Sequence, residues 1–138
     1  MAYNVELISL AGLFRTLLKS MKQEWNKHGT YSLSFTQFKV LFKLQAEGAQ
    51  KVSELAEAMG MTPGAITGIA DKLIAEGYIK RSRAEDDRRV VYIELTDKGE
   101  RMLKQLLISQ AETMSTFFDK LPDEDIAHLT RIFKRMLE

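Results

Sequence analysis

Between Lys80 and Arg89 five cations (Lys80, Arg81, Arg83, Arg88 and Arg89) accompany three anions (Glu85, Asp86 and Asp87). The local net charge is +2, in a chain whose overall net charge is only +1. Clustered guanidinium and ammonium groups suit phosphate oxygens, which favour charge-assisted and, for arginine, bidentate hydrogen bonds. Taken alone, the stretch reads equally well as the solvated tip of a hairpin. A second stretch, TPGAITGIADKL at 62–73, sets Gly64 and Gly68 four residues apart, on one face of a helix. Glycine inside a helix costs roughly 1 kcal/mol relative to alanine, so that face needs a reason. Another helix packed closely against it is one. The other is the approach of a bulky rigid body such as duplex DNA, whose major groove, about 12 Å wide, admits a helix.

Helical periodicity separates the residues of this stretch into two sides. Ile66, Ile69, Ala70, Leu73 and Ile74 fall together and are expected to face a core. Gly64, Gly68, Asp71, Lys72 and Ala75 fall opposite, flanked by Ala65 and Thr67. The glycines thus point away from the apolar side, which favours the approach of DNA over helix packing. Asp71 on that outer face would repel phosphate, and is expected to orient a neighbouring arginine instead.

Other chemistries find no support. The chain has no cysteine, which excludes disulfides, thiol chemistry and thiolate metal sites. Its two histidines, His28 and His128, are isolated, so no metal site is expected. No nucleophile, base and orienting group stand in a recognisable motif, so the chain is not expected to be an enzyme or to carry a cofactor.

These groups must be positioned by the surrounding elements. With 138 residues, 45% hydrophobic and 28% charged, the chain fits one globular domain with a real core. No basic region precedes an apolar run at the start, and Glu6 and Arg15 interrupt the hydrophobic pattern there. No signal peptide, membrane span or membrane partner is therefore expected, and a cytoplasmic location is the default. Leu7, Ala11, Phe14, Leu18, Met21 and Trp25 recur at steps of four and three, the stripe of an amphipathic helix. KHGTYSLS breaks that helix. SFTQ then fits a capping box, with Ser34 and Gln37 exchanging hydrogen bonds, and a helix follows with Phe38, Leu41, Phe42 and Gln45 along one side.

VSELAEAMG reads as a short helix capped by Ser53 and stopped at Gly60. Thr62 is the expected N-cap of the next helix, Pro63 suits its first position, and Gly77 closes it. Together they form a helix-turn-helix over about 53–76. From Tyr78 the helical period stops, and Val91, Ile93 and Leu95 alternate with Val90, Tyr92 and Glu94 as in a half-buried strand. RAEDDR would be the polar tip of a hairpin spanning about 78–95. Thr96 caps a long final helical region, striped by Leu103, Leu107, Gln110, Met114, Phe117 and Leu121, and Pro122 starts a last helix.

The segment KVSELAEAMGMTPGAITGIADKLIAEGYIKRSRAEDDRRVVYIELTDKGE resembles the MarR family of bacterial transcriptional regulators. The helix-turn-helix, the D-x-R pattern of the DRR wing and the LT-x-x-G that opens the next helix carry the resemblance, in order and spacing. It implies a mainly α fold with a small β-hairpin wing, a winged helix-turn-helix with long N- and C-terminal dimerisation helices. Residues 1–33 and 100–138 would dimerise, and 34–99 would form the DNA-binding lobe. Without the resemblance, the terminal stripes suit an intramolecular bundle equally well.

By the same resemblance the chain would be a homodimer on double-stranded DNA, a repressor released from a pseudo-palindromic operator by a small aromatic or phenolic effector. Thr62, Ala65, Thr67, Gly68 and Lys72 would make groove and phosphate contacts. Asp87 would orient the wing, unless it is a plain turn residue; Arg89 would enter the minor groove, with Arg83 and Arg88 on phosphates. Trp25, His28, Tyr31 and Phe38 would line the effector pocket, or else are ordinary core and surface residues. A winged helix used only for protein-protein contact, without specific DNA binding, is the rival reading.

Overall fold

Local capping signals determine where most helices begin and end. The computed structural model describes residues 4–27 and 33–138. Helix α1 runs from Val5 to Lys27, its first amides (Glu6 and Leu7) bonded to Asn4 Oδ1. Helix α2 (Phe35–Glu47) starts at the expected capping box: Ser34 Oγ accepts from the Gln37 amide at 3.2 Å, and Gln37 Oε1 accepts from the Ser34 amide at 2.8 Å. Its buried face is Phe38, Val40, Leu41 and Leu44. Phe42 and Gln45, expected on that side, are exposed instead; the buried arc is turned toward Val40, Leu41 and Leu44, which leaves Phe42 beyond its edge.

After α2 comes a strand that the periodicity does not announce. Strand β1, only Gln50–Lys51, pairs antiparallel with β3 (Val91–Leu95), which also pairs with β2 (Ile79–Arg83), giving the order β1-β3-β2. Ile79 lies opposite Leu95 and Arg83 opposite Val91. Because β3 is central, the expected alternation is blurred: Ile93 alone is fully buried, and its neighbours on both faces are half-covered. Residues 84–90 form the hairpin tip.

Helix α3 (Val52–Met59) begins one position before its expected cap. Lys51 is the N-cap, and Glu54 Oε1 accepts its amide at 3.1 Å; Ser53 lies inside the helix. Pairing of Gln50 and Lys51 with β3 holds the chain extended up to Lys51, which moves the helix start forward of the serine. Gly60 ends the helix at φ 62°, with the Met61 amide reaching back to Ala56 O and the Gly60 amide to Glu57 O. Helix α4 (Pro63–Ala75) follows, with Thr62 as N-cap and Pro63 in its first turn. It closes as α3 does, with Gly77 at φ 81° and the Tyr78 amide bonded to Leu73 O.

Helix α5 (Asp97–Phe118) and helix α6 (Asp123–Met136) complete the chain. In α5 the fully buried residues are Gly99, Leu103 and Leu106; Leu107, expected in the stripe, is exposed. The chain divides into two compact units. One holds α2 to β3 and α5 as far as Ile108; it is a winged helix-turn-helix whose core is built on Leu41, Leu55, Ile66, Leu73, Ile79 and Ile93, each at most 1% exposed. The other comprises α1, the rest of α5 and α6. No helix among the described residues is long and apolar enough to cross a membrane.

Candidate nucleic-acid interface

Helix α4 divides as its periodicity predicts. Ile66, Ala70 and Leu73 are buried and Ile69 and Ile74 half-buried, while Gly64, Ala65, Thr67, Gly68, Asp71, Lys72 and Ala75 are all exposed. A Cβ built on Gly64 or Gly68 meets no atom within 4 Å among the described residues. Helix packing among the described residues therefore does not account for the two glycines. Thr62 Oγ1 is committed to the Ala65 amide at 3.2 Å, and Thr67 Oγ1 donates to Pro63 O at 2.9 Å. Both hydroxyls still sit on the open face with lone pairs to spare.

The C-terminal end of α4 is clamped from α5. Lys98 Nζ donates to Glu76 O at 2.7 Å and lies 5.0 Å from the centroid of the Tyr78 ring. Thr96 Oγ1 donates to Gly77 O at 2.6 Å, and the Thr96 amide to Tyr78 O at 3.1 Å. The same hydroxyl oxygen accepts from the Gly99 amide at 3.0 Å, capping α5 as expected. Gly99 is buried against this turn, and a Cβ there would stand 2.0 Å from Tyr78 O. The LT-x-x-G signature is thus a joint between α5 and the last turn of α4, a role that sequence spacing does not reveal.

The wing is ordered by its own side chains. Asp87 Oδ1 accepts from the Arg89 amide at 3.0 Å and from its Nε at 3.1 Å, and Oδ2 accepts from Nη2 at 3.2 Å. The side-chain hydrogen bonds from Arg89, and then its backbone amide, hold the Asp87 carboxyl below its ordinary range. Arg89 nonetheless extends outward, its side chain 91% exposed. Arg83 Nη1 donates to Arg88 O at 2.6 Å, bracing the tip from the strand below, and Arg88 is exposed. Lys80 pairs with Glu94 at 3.4 Å across the hairpin.

The structure thus gathers Thr62, Ala65, Thr67, Gly68 and Lys72 on one exposed helix face and Arg83, Asp87, Arg88 and Arg89 on the hairpin next in sequence. It also supplies the partner expected for Asp71, which forms an ion pair with Arg81 of β2. Sequence reasoning left Arg81 out, although the two-residue period of Ile79, Arg81 and Arg83 puts it on the strand face shared with a core residue. Of the residues assigned to an effector pocket, Trp25 and Phe38 are both buried, and Phe38 packs beside Phe35 and Phe42. His28 and Tyr31 lie outside the described residues. Among the described residues no group of three or more His, Cys, Asp or Glu could hold a metal ion.

Comparison with known proteins gives a consistent picture. The model of the MarR family matches residues 33–91, the span from the start of α2 to the start of β3. The HTH-type transcriptional repressor MdtR of Bacillus subtilis is 33% identical, over 89% of this chain and 79% of that protein. A MarR family protein from Bacillus stearothermophilus is 27% identical and superimposes with a TM-score of 0.83, over 98% of this chain and 96% of that one. A mutant MarR from E. coli, solved in complex with operator DNA, is 23% identical, with a TM-score of 0.78 over 99% of this chain and 100% of that one.

Proposed function

This chain belongs to the MarR family of transcriptional regulators, and from that premise we propose that it is a homodimeric repressor that grips a pseudo-palindromic operator and is released by a small ligand. Members of the family are regulators, not enzymes. The observation that carries the DNA-binding reading is the outer face of α4. It is exposed, bare of side chains at Gly64 and Gly68, and followed in the chain by a hairpin with three exposed arginines at or near its tip. Such a helix can lie deep in a major groove, with Thr62, Ala65, Thr67, Gly68 and Lys72 against bases and phosphates. The hairpin then extends Arg89 toward the adjoining minor groove, and Arg83 and Arg88 meet phosphates. MdtR is a repressor and the E. coli relative was solved on operator DNA; both support the reading.

The dimer is supported by apolar surface. Val5, Leu7, Ile8, Leu10, Leu13, Phe14 and Leu18 of α1 are at least half exposed, as are Met136 and Leu137 at the other end of the chain. No residue of α6 is buried. Exposed apolar side chains in this number are unusual on a monomer and support an interface. A twofold dimer presents two α4 helices to half-sites about one helical turn apart. A small aromatic or phenolic compound is the proposed ligand, in keeping with the resemblance to the family.

Selection of bound duplexes from a random pool tests the whole reading. It should return an inverted repeat, bound with an affinity that falls steeply as salt rises. Enrichment of no sequence, with weak and salt-insensitive retention, would show instead that the lobe serves protein contact alone.

A further inference from the structure

Asp71 is an acid on the one helix face that must lie near phosphate. Its pairing with Arg81 does not make sense as a stabilising device, because both side chains are about half exposed and exposed ion pairs add little to stability. The location of the pair is more informative. Arg81 sits in the middle of β2, opposite Ile93, on the same strand face as the buried Ile79 and the tip-bracing Arg83. It therefore stands at the junction of α4 and β2, between the helix face and the wing tip. A duplex read by a helix in its major groove and a hairpin in the next minor groove runs one sugar-phosphate strand between the two. That strand must cross this junction.

We propose that Arg81 is the phosphate clamp for the strand passing between helix and wing, and that Asp71 is the residue that positions it. The proposal rests on the reading of α4 and the wing as a DNA-binding surface. Among the described contacts, Asp71 engages only Nη2 of Arg81, which leaves other donors of the five-donor guanidinium fork for a phosphate oxygen. Holding the long side chain in place before DNA arrives lowers the entropy lost on binding. The pairing also neutralises a carboxylate that would otherwise repel the backbone. Arg89, tethered by Asp87 at the wing tip, follows the same arrangement of an arginine held by an acid on the DNA-facing side.

The experiment measures operator affinity across a salt series for the full chain and for Arg81→Gln, Arg81→Lys, Asp71→Ala and the double variant Asp71→Ala with Arg81→Gln. Arg81→Gln should weaken binding about tenfold at fixed salt and make the salt dependence shallower by about one counterion. Arg81→Lys should keep the salt slope while losing part of the affinity. Asp71→Ala should weaken binding when Arg81 is present, and that penalty should vanish or reverse in the Arg81→Gln background. Melting temperatures of the free variants should match the wild type, since the pair is exposed. Wild-type affinity and slope in Arg81→Gln would overturn the clamp while leaving the DNA-binding reading intact. Stronger binding by Asp71→Ala in both backgrounds would mark the carboxylate as merely repulsive and overturn the positioning role. A wild-type chain that binds no duplex at any salt would overturn both readings together.

Discussion

Replacing Gly68 with leucine separates the two explanations that a glycine-lined helix face allows. Gly68 lies in the middle of α4, exposed, and nothing stands within 4 Å of where its Cβ would be. The Cβ of a leucine there meets no neighbour among the described residues and the position is exposed, so the added side chain can extend into solvent and the gain in helix propensity is expected to stand. That gain is roughly 0.8–1 kcal/mol, the difference between glycine and a good helix former. In a chain of this size it should raise the melting temperature by about 3–5 °C. The same isobutyl group projects from the face proposed to enter the groove, where it would hold the duplex away. Operator affinity should fall at least tenfold, about 1.4 kcal/mol. Gly68→Ala grades the effect: most of the stabilisation with a smaller loss of binding. Thermal unfolding of the free protein and titration of labelled operator at one fixed salt concentration supply the two readouts. A stabler Gly68→Leu protein that binds operator as tightly as the wild type would refute the placement of this face against DNA. A destabilised one would show that the face is covered by something in the free protein, a second copy of the chain included.

Arg89→Ala should lose roughly 1–3 kcal/mol of specific binding and leave the melting temperature unchanged, because the side chain extends into solvent; unchanged affinity removes Arg89 from the interface. Gly99→Ala should destabilise the lobe by at least 1–3 kcal/mol in denaturant unfolding, since its Cβ would collide with Tyr78 O at 2.0 Å, and wild-type stability would refute the tight joint. The Asp87 carboxyl, held below its ordinary 3.8 by Arg89, keeps its tether intact above that value and loses it only as pH falls through the lower folded value. The wing should therefore be insensitive to pH near neutrality, and an NMR titration of Asp87 should give a midpoint below 3.8; a higher one refutes the tether. Sedimentation at micromolar concentration should give about twice the 15.8 kDa chain mass, and a folded monomer would sink the dimer.

Much of this was legible in the residues because it rests on interactions a few positions apart. The Ser34–Gln37 box, Thr62 before Pro63, Gly60 and Gly77 past their helix ends, and Thr96 before α5 all act within one turn, so residue type and spacing suffice. The two sides of α4 follow from helical period alone. Likewise Asp87 and Arg89, two residues apart, meet because a tip turn leaves them little choice.

The remainder was decided by partners distant in sequence. Pairing of Gln50 and Lys51 with Ile93 and Tyr92 created a strand too short to leave a pattern, and moved the N-cap of α3 from Ser53 to Lys51. Central placement made β3 half-covered on both faces where alternation predicted one. The LT-x-x-G signature marked Gly99 without giving its role, which is set by the carbonyl of Tyr78 lying against it. Asp71 and Arg81 are ten residues apart, one on a helix and one on a strand, and nothing in their spacing selects this arginine over the others nearby. The sequence by itself determined the elements and their polarity, because capping and periodicity are local energies. Which acid holds which arginine, and which glycine admits a carbonyl, depends on the packing of α5 and β2 against α4, and only the tertiary structure decides that.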